Sequence, residues 1–169
     1  MSENKTVITV EPGKQELFIT REFNAPIELL FRAHTEAELY EQWVGPDDLT
    51  MTVEKMDAVD GGSYRFVHER DGHAYTFHGV YHEVLAPKRI IGTFEFDGLP
   101  ETGHVIMGTT KFEDLGDGRS RLAHQSVFQS VSDRDGMIKS GMERGVNDGY
   151  KKLDVLLAQP LPSSASASE

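Results

Sequence analysis

Three polar side chains able to carry acid–base or hydrogen-bonding chemistry fall on predicted strands. His124 and Ser126 lie two residues apart in residues 121–128, so both point to the same face of one strand. Thr110 lies on the preceding strand, residues 104–113. A histidine beside a hydroxyl is the start of a nucleophilic site, but no third carboxylate is identifiable to orient the ring as a triad requires. His124 is therefore only a weak candidate for catalysis, and no catalytic set is assigned.

Metal and nucleotide motifs are not found in the sequence. His78 and His82 are four residues apart on a predicted strand, about 13 Å along it, which is too far for both to bind one ion. The sequence contains no cysteine, no HExxH motif and no phosphate-binding glycine loop. We interpret Asp60-Gly61-Gly62 as a hairpin turn. We therefore predict no metal and no cofactor.

The composition indicates one acidic globular domain. The 169 residues include 28 acidic and 17 basic side chains, giving a net charge of −11 without any basic cluster. Nucleic acids and anionic membranes are bound through basic surfaces, so neither is an expected partner. No segment approaches the roughly 18 apolar residues of a membrane span, and the polar N-terminus does not resemble a signal peptide. We expect a cytoplasmic protein, and its oligomeric state is not determined by the sequence.

The chain divides into three parts on composition. Residues 1–14 are expected to be a flexible leader in which residues 6–10 could add an edge strand, and residues 15–158 form a single domain. The Pro- and Ser-rich residues 159–169 have nothing to bury and are predicted to be disordered.

Helix and strand patterns predict an α+β fold. A strand at residues 16–23 is followed by two short helices. The first helix starts at Pro26, and the second is capped by Thr35 with Glu38 and reaches Trp43. The hydrophobic period then changes to two, with turn sequences between strands at residues 50–56, 63–69, 74–85, 89–96, 104–113 and 121–128.

Glycines suggest how these elements pack. Gly79, Gly92 and Gly108 interrupt strands, which indicates bulges or bends and hence a curved sheet. A single long helix is predicted at residues 132–157, with Ser132 as its cap and acidic residues in its first turn.

The apolar face of this long helix carries Gly145 and Gly149 at its centre, with Gly141 near its edge. A glycine inside a helix costs about 1 kcal/mol relative to alanine, so these positions need a reason. Close packing against the sheet is one interpretation, and a helix lying across a ligand cavity is the other.

Charged residues placed outward select the inward face of four strands. The long strand at residues 74–85 stays ambiguous, because its odd-numbered aromatic residues and its even-numbered residues both make a plausible inner face. Four of the inward residues are polar and either hydrogen-bond to one another and to buried water or line a pocket. The polar inward residues are His68, Thr110, His124 and Ser126, and the principal apolar ones are Tyr64, Phe66, Phe94, Phe96, Ile106, Phe112, Leu122 and Phe128.

The sequence resembles the SRPBCC/START-like (Bet v 1-like) superfamily, in particular the family of homologues of the activator of Hsp90 ATPase. The resemblance covers about residues 16–158 and is carried, in the family's order, by REFNAPIELLFRAHTEAELYEQWVGP, GGSYRF, GVYHEVLAPKRI, TFEFDGLP, TTKFEDLGDGRSRL and FQSVSDRDGMIKSGMERGVNDGYKKLDVLL. It implies a helix-grip fold, in which a curved antiparallel β-sheet wraps around a long C-terminal helix, with two short helices after the first strand. It also implies a cavity between sheet and helix.

For function, the resemblance favours a non-enzymatic binder of a small hydrophobic ligand, aromatic or lipid-like. It leaves open a cyclase- or hydrolase-type enzyme with His124 as acid/base and Ser126 or Thr110 stabilising an oxyanion. It also leaves open an Hsp90-type co-chaperone or stress-response protein that acts through its surface. The residues expected to bind the ligand are Trp43, Tyr64, Phe66, His68, Phe94, Thr110, His124, Ser126, Met142, Gly145 and Gly149.

Overall fold

One curved antiparallel sheet of eight strands forms the body of the protein, in the order β1-β2-β8-β7-β6-β5-β4-β3. The computed structural model describes residues 4–163, so the outermost parts of the predicted leader and tail lie outside the described residues. The strands are β1 (Val7–Thr9), β2 (Glu16–Phe23), β3 (Thr50–Met56), β4 (Ser63–Arg70), β5 (His73–Leu85), β6 (Arg89–Phe96), β7 (Ile106–Gly116) and β8 (Arg119–Val127).

Two pairs of helices accompany the sheet. Helices α1 (Ile27–Thr35) and α2 (Ala37–Tyr40) connect β2 to β3, and α3 (Val131–Lys139) and α4 (Met142–Leu157) follow β8. The predicted α+β helix-grip architecture is confirmed. Because β1 pairs with β2, the two short helices follow the second strand of the chain rather than the first.

The predicted single helix at residues 132–157 is wrong in one respect, because it is divided into α3 and α4 at Ser140 and Gly141. Gly141 has φ +89°, a left-handed conformation that an α-helix cannot contain and that side chains beyond glycine adopt only with strain. Gly141 is the N-cap of α4. The glycine near the edge of the predicted apolar face is therefore a hinge-like break between two helices.

Two predicted helix caps are also wrong. Thr35 ends α1 and donates a hydrogen bond to the carbonyl of Phe31, and α2 begins after Glu36 without any side-chain cap, so the expected capping box does not form. The N-cap of α3 is Ser130, whose hydroxyl accepts from the backbone N–H of Asp133 at 3.0 Å, rather than Ser132. In both places several Ser, Thr or acidic residues compete for one cap position, and the backbone path selects among them.

The ambiguous strand β5 contains a bulge that explains why both of its faces looked apolar. Tyr75, Phe77 and Tyr81 point inward, but the pairing with β6 shifts between Tyr81 and Glu83. After this shift the even-numbered Val84 packs against the core. One extra residue therefore moves the inner face from odd to even positions.

A dry core fills one end of the interior, between β2, β7 and β8 on one side and α1 with the C-terminal half of α4 on the other. Its most deeply buried apolar residues are Leu17, Phe23, Leu30, Leu39, Leu122 and Leu153. Arg21 is 5% exposed and forms two hydrogen bonds with the Asp154 carboxylate, at 2.6 and 2.7 Å, which tie β2 to α4. Beyond the predicted domain boundary, Leu161 packs against the same core.

Candidate functional site

The other end of the interior is a cavity of about 1150 Å³. Its walls come from the loop between α2 and β3, the inner face of β4 to β7, the loop between β6 and β7, and the helices α3 and α4. Ligand pockets in proteins usually enclose about 300–1,000 Å³, so this cavity has room for a substantial organic molecule.

Aromatic rings dominate the inner wall. The strand register places His68 beside Tyr75 on β4 and β5, and Phe77 beside Phe96 on β5 and β6, so adjacent strands present a continuous aromatic surface. Phe77 and Phe94 stack with their ring centroids 5.2 Å apart and their planes at 26°. The aromatic side chains lining the cavity, besides two histidines, are Trp43, Tyr75, Phe77, Phe94, Phe96, Phe128 and Tyr150.

Trp43 and Tyr150 separate the cavity from the dry core. They stack with centroids 6.0 Å apart, both are at least nine-tenths buried, and both also line the cavity. The indole Nε1 of Trp43 donates to the carbonyl of Ala33 at 2.9 Å, which fixes the ring orientation. The wall between core and cavity is therefore a rigid aromatic pair held by α1.

The glycines on α4 allow the loop between α2 and β3 to lie against the helix. A Cβ atom on Gly149 would lie 3.0 Å from the carbonyl oxygen of Trp43, whereas one on Gly145 would lie 3.5 Å from Cδ of Pro46. The close neighbour of this glycine face is thus the loop rather than the sheet, and the predicted helix–sheet contact at these residues does not form. Gly145 and Gly149 also line the cavity, as the alternative interpretation expected.

His68 brings a buried imidazole to the cavity wall. It is 7% exposed, and burial lowers its pKa, partly opposed by a backbone hydrogen bond with Val44. Its Nε2 is buried and has no hydrogen-bond partner within the described part of the chain. This edge of the ring lies against Gly45, where an added Cβ would be 2.6 Å from the His68 Cε1. Gly45 has φ +96°, so both its backbone and its neighbour require glycine.

Charged side chains mark two edges of the cavity. At the first edge the Asp48 carboxylate binds two guanidinium groups, that of Arg70 at the end of β4 and that of Arg144 in the first turn of α4. The Asp48–Arg144 distance is 3.2 Å. The hydrogen bond from Arg70 is the main cause that lowers the pKa of Asp48.

The second edge is formed by the loop between β6 and β7 and by α3. Here Nδ1 of His104 lies 3.0 Å from the Asp133 carboxylate, and Nε2 lies 3.7 Å from Glu101. The hydrogen bond to Asp133 is the main cause that raises the pKa of His104. This pair links the loop to α3 across the cavity edge.

The polar chain Thr110, His124 and Ser126 lies outside the cavity lining, and its three side chains are partly buried. Thr110 Oγ1 is 2.7 Å from His124 Nδ1, and His124 Nε2 is 2.8 Å from Ser126 Oγ. Burial lowers the pKa of His124 to about 4. Mutual hydrogen bonding therefore satisfies these groups, as one of the two interpretations of the sequence expected.

The structure divides the predicted binding residues into two sets. Trp43, His68, Phe94, Met142, Gly145 and Gly149 come together at the cavity. Tyr64, Phe66, Thr110, His124 and Ser126 do not line it; Tyr64 and Phe66 stack in the sheet with centroids 6.2 Å apart, and the other three form the polar chain.

Several cavity residues were missed by the sequence reasoning. Tyr75 and Phe77 lie on the strand with the bulge, where the face was left open. The other missed residues are charged. Asp48 lies in a loop, Arg70 at the end of a strand and Arg144 on a helix. No signal in the sequence indicates that these three side chains meet, because they are separated along the chain and brought together by the fold alone.

A comparison with protein families identifies the family of this chain. The family model described as "Activator of Hsp90 ATPase homolog 1-like protein" matches residues 24–158. The chain belongs to this family. As a member of the Activator of Hsp90 ATPase homolog 1-like family it also belongs with the SRPBCC-like, Bet v 1-fold proteins, as the sequence suggested. Membership is compatible with ligand binding and does not name a ligand.

Solved structures share the fold over nearly their whole length. A protein of Rhodobacter sphaeroides is 27% identical, with a TM-score of 0.80, over 90% of this chain and 99% of that chain. A protein of Staphylococcus epidermidis is 30% identical, with a TM-score of 0.78, over 92% and 97% of the two chains. A protein of Arthrobacter aurescens has a TM-score of 0.82 at 21% identity, over 96% and 97%.

No curated protein matches the chain in sequence. Within residues 4–163, no helix has both the length and the apolar character needed to cross a membrane.

Proposed function

We propose that this protein is a non-enzymatic carrier or sensor of a small, mostly hydrophobic ligand, held in the cavity between the sheet and the helices α3 and α4. The observation that supports the proposal best is the 1150 Å³ cavity lined by aromatic side chains. A folded protein gains stability by filling its interior, because empty space forfeits packing contacts. A cavity of this size in so small a domain is therefore best explained as a binding site.

The shape of the lining favours a flat ligand with ring systems over a flexible chain. Phe77, Phe94 and Phe96 present ring faces and edges from adjacent strands, and Trp43 and Tyr150 close the inner end. Aromatic pairs prefer offset-stacked or edge-to-face contact, which a planar ligand can extend. A lipid-like ligand remains the second choice, since the same surface is apolar.

The enzyme alternative is less well supported. A general acid or base works best with a pKa near the operating pH, whereas desolvation lowers the pKa of His124 to about 4. Both of its ring nitrogens are already within hydrogen-bond distance of Thr110 and Ser126.

The co-chaperone and stress-response alternatives stay predictions, and so does the cytoplasmic location. A protein that acts only through its surface has no need for a large aromatic cavity, which is why the binder is preferred. A pull-down with an Hsp90-type chaperone separates these alternatives from the binder.

The test uses Gly145, which lines the cavity and has room for one extra carbon. A Cβ there would make an ordinary contact of 3.5 Å with Pro46, so Gly145→Ala should fold and bind normally. Gly145→Leu adds a branched side chain at the cavity wall. We expect the affinity for the neutral aromatic probe N-phenyl-1-naphthylamine, followed by fluorescence titration, to fall about tenfold or more in Gly145→Leu and to change less than about twofold in Gly145→Ala.

A matched control places a leucine on the exposed side of the same helix, as Lys151→Leu. Circular dichroism and the thermal midpoint establish that all three variants fold. Native mass spectrometry of the purified protein shows in addition whether a ligand is retained. Equal probe affinity in wild type and Gly145→Leu would mean that the probe does not enter this cavity. Gly149 is unsuited to the test, because a Cβ there meets the Trp43 backbone at 3.0 Å.

A further inference from the structure

We propose that the ligand is an amphipathic acid, whose apolar ring system fills the cavity and whose anionic group binds Arg70 and Arg144 at its edge. This inference rests on the proposed function, because it assigns the chemistry of the ligand that the cavity holds. It is carried by the position of two guanidinium groups at the edge of a cavity whose inner wall is apolar and aromatic, in an acidic protein.

The two arginines come from opposite walls and converge on one point. Arg70 ends strand β4 of the sheet, and Arg144 lies in the first turn of α4; both line the cavity. Asp48 shows that their guanidinium groups can hold one carboxylate between them, since Arg70 Nη1 binds its Oδ2 and Arg144 Nη2 lies 3.2 Å from its Oδ1. The geometry for clamping a carboxylate therefore already exists at this edge.

Donor groups are left over after Asp48 is bound. Within residues 4–163, Arg70 hydrogen-bonds to the protein only through Nη1, so its remaining N–H groups are available to a ligand. Arg144 reaches Asp148 through Nε at 3.6 Å, which is an ion pair but too long for a good hydrogen bond. Asp148 lies outside the cavity lining and neutralises part of the positive charge of Arg144. The charged groups that line the cavity at this edge are two guanidiniums and one carboxylate.

The second charged edge of the cavity favours one orientation of such a ligand. Glu101 and Asp133 line the cavity there, beside His104. An anionic group would be repelled by these carboxylates and attracted by the arginines. The ligand should therefore enter in one orientation, with its acid at the arginine edge and its rings against Phe77, Phe94 and Phe96.

Asp48 has a second consequence, because its carboxylate competes with the ligand for the same guanidinium groups. Removing its charge by Asp48→Asn should strengthen binding of an anion and leave binding of a neutral ligand unchanged. A purely structural role of Asp48 would instead weaken binding of both.

The experiment compares two probes with the same ring system, 1-anilinonaphthalene-8-sulfonate and the neutral N-phenyl-1-naphthylamine. We expect the wild-type protein to bind the sulfonate more tightly, at a stoichiometry of one. The double variant Arg70→Gln/Arg144→Gln should weaken the sulfonate about tenfold and the neutral probe by less than about twofold. Asp48→Asn should strengthen the sulfonate about threefold.

The matched control is Arg65→Gln, which removes the same charge per site from an exposed arginine that pairs with Glu54 and Asp97 and does not line the cavity. Both cavity arginines are about half exposed or more, so their replacement should leave the fold intact. Should the double variant nevertheless unfold, the single variant Arg144→Gln carries the same comparison.

The outcomes separate this inference from the proposal beneath it. Selective loss of sulfonate binding in the arginine variants supports the inference of an acidic ligand. A second outcome is that both probes bind equally, that the arginine variants do not change their affinity and that Gly145→Leu abolishes binding. The inference of an acidic ligand is then wrong, and the proposal of a hydrophobic carrier is retained. If neither probe binds, both the proposal of a hydrophobic carrier and the inference of an acidic ligand are wrong.

Discussion

Acid should destabilise this protein through two partly buried histidines, His34 and His124. Burial is the main cause that lowers the pKa of each from 6.5 to about 4. Between these values the unfolded chain binds a proton at each position and the folded chain does not. The stability that the neutral rings contribute is therefore complete above pH 6.5 and is lost as the pH falls from 6.5 towards 4.

The size of the effect follows from the two pKa values. One pKa unit corresponds to 1.36 kcal/mol, so a shift from 6.5 to about 4 is worth about 3 kcal/mol per histidine, of which about 2 kcal/mol is lost by pH 5. The two rings also interact, since the charge of His124 is a minor cause that lowers the pKa of His34. Their contributions should therefore not add fully.

The assay is urea unfolding at pH 7.5 and at pH 5, on the wild type and on His124→Gln. Glutamine keeps a donor and an acceptor for Thr110 and Ser126 but does not titrate. We expect the free energy of unfolding to fall less between the two pH values in the variant, by about 2 kcal/mol. Magnetic resonance of the His124 ring gives an independent reading that needs no variant.

Two results would refute this reasoning. One is a His124 ring that titrates at pH 6 or above in the folded protein. The other is an unfolding free energy whose pH dependence is the same with and without the His124 ring. Either result would also restore His124 as a candidate acid–base catalyst.

Two further predictions concern the break between the helices and the edge of the cavity. Gly141→Ala should lower the free energy of unfolding by about 1 kcal/mol in a urea titration, because alanine is strained at φ +89°; an unchanged value would show that α3 and α4 can join without cost. Asp133→Asn should lower the pKa of His104, read from its ring signals, because Asp133 is the main cause that raises it. The stabilisation from this pair is complete below the unfolded pKa of about 6.5 and is lost as the pH rises through the raised folded value. A His104 ring that titrates identically in both proteins would contradict the pair.

Alternation along strands predicted much of the inner surface correctly. Where a charged residue marked the outer face, as Arg65 does on β4 and Lys111 on β7, the inward assignment of Phe66 and Phe112 is confirmed by their burial at 2% and 6% exposure. The rule has no means of detecting a bulge, and it therefore left β5 open.

Two arginines are buried, and the sequence analysis made no prediction about either of them. Arg21 and Arg134 are 5% and 3% exposed. Arg21 is buried because Asp154 accepts two hydrogen bonds from it, and Arg134 because the carbonyls of Glu11 and Glu16 accept from its Nη1. Such partners come from distant parts of the chain, so the pattern around each arginine does not reveal them.

The cavity could be anticipated only in part. Alternation and helical spacing show which side chains face inward, but not whether they meet in the middle. That depends on how far the loops before β3 and before β7 hold the walls apart, and on the break at Gly141. For the same reason the polar residues Thr110, His124 and Ser126 could be assigned to the inner face of the sheet, but their position outside the cavity lining could not be predicted.

The stacked pair Trp43 and Tyr150 divides α4 into two stretches with different structural roles. Towards the C-terminus, Leu153, Leu156 and Leu157 are buried in the core, while towards the N-terminus Met142, Gly145 and Val146 line the cavity, and Met142 and Val146 pack against the core only as partly buried side chains. Side chains in the second stretch are less buried than the three leucines, so their substitution should cost the fold less. An evolving or engineered lineage can therefore exchange one ligand for another through the first turns of this helix, without first acquiring extra stability to offset the change.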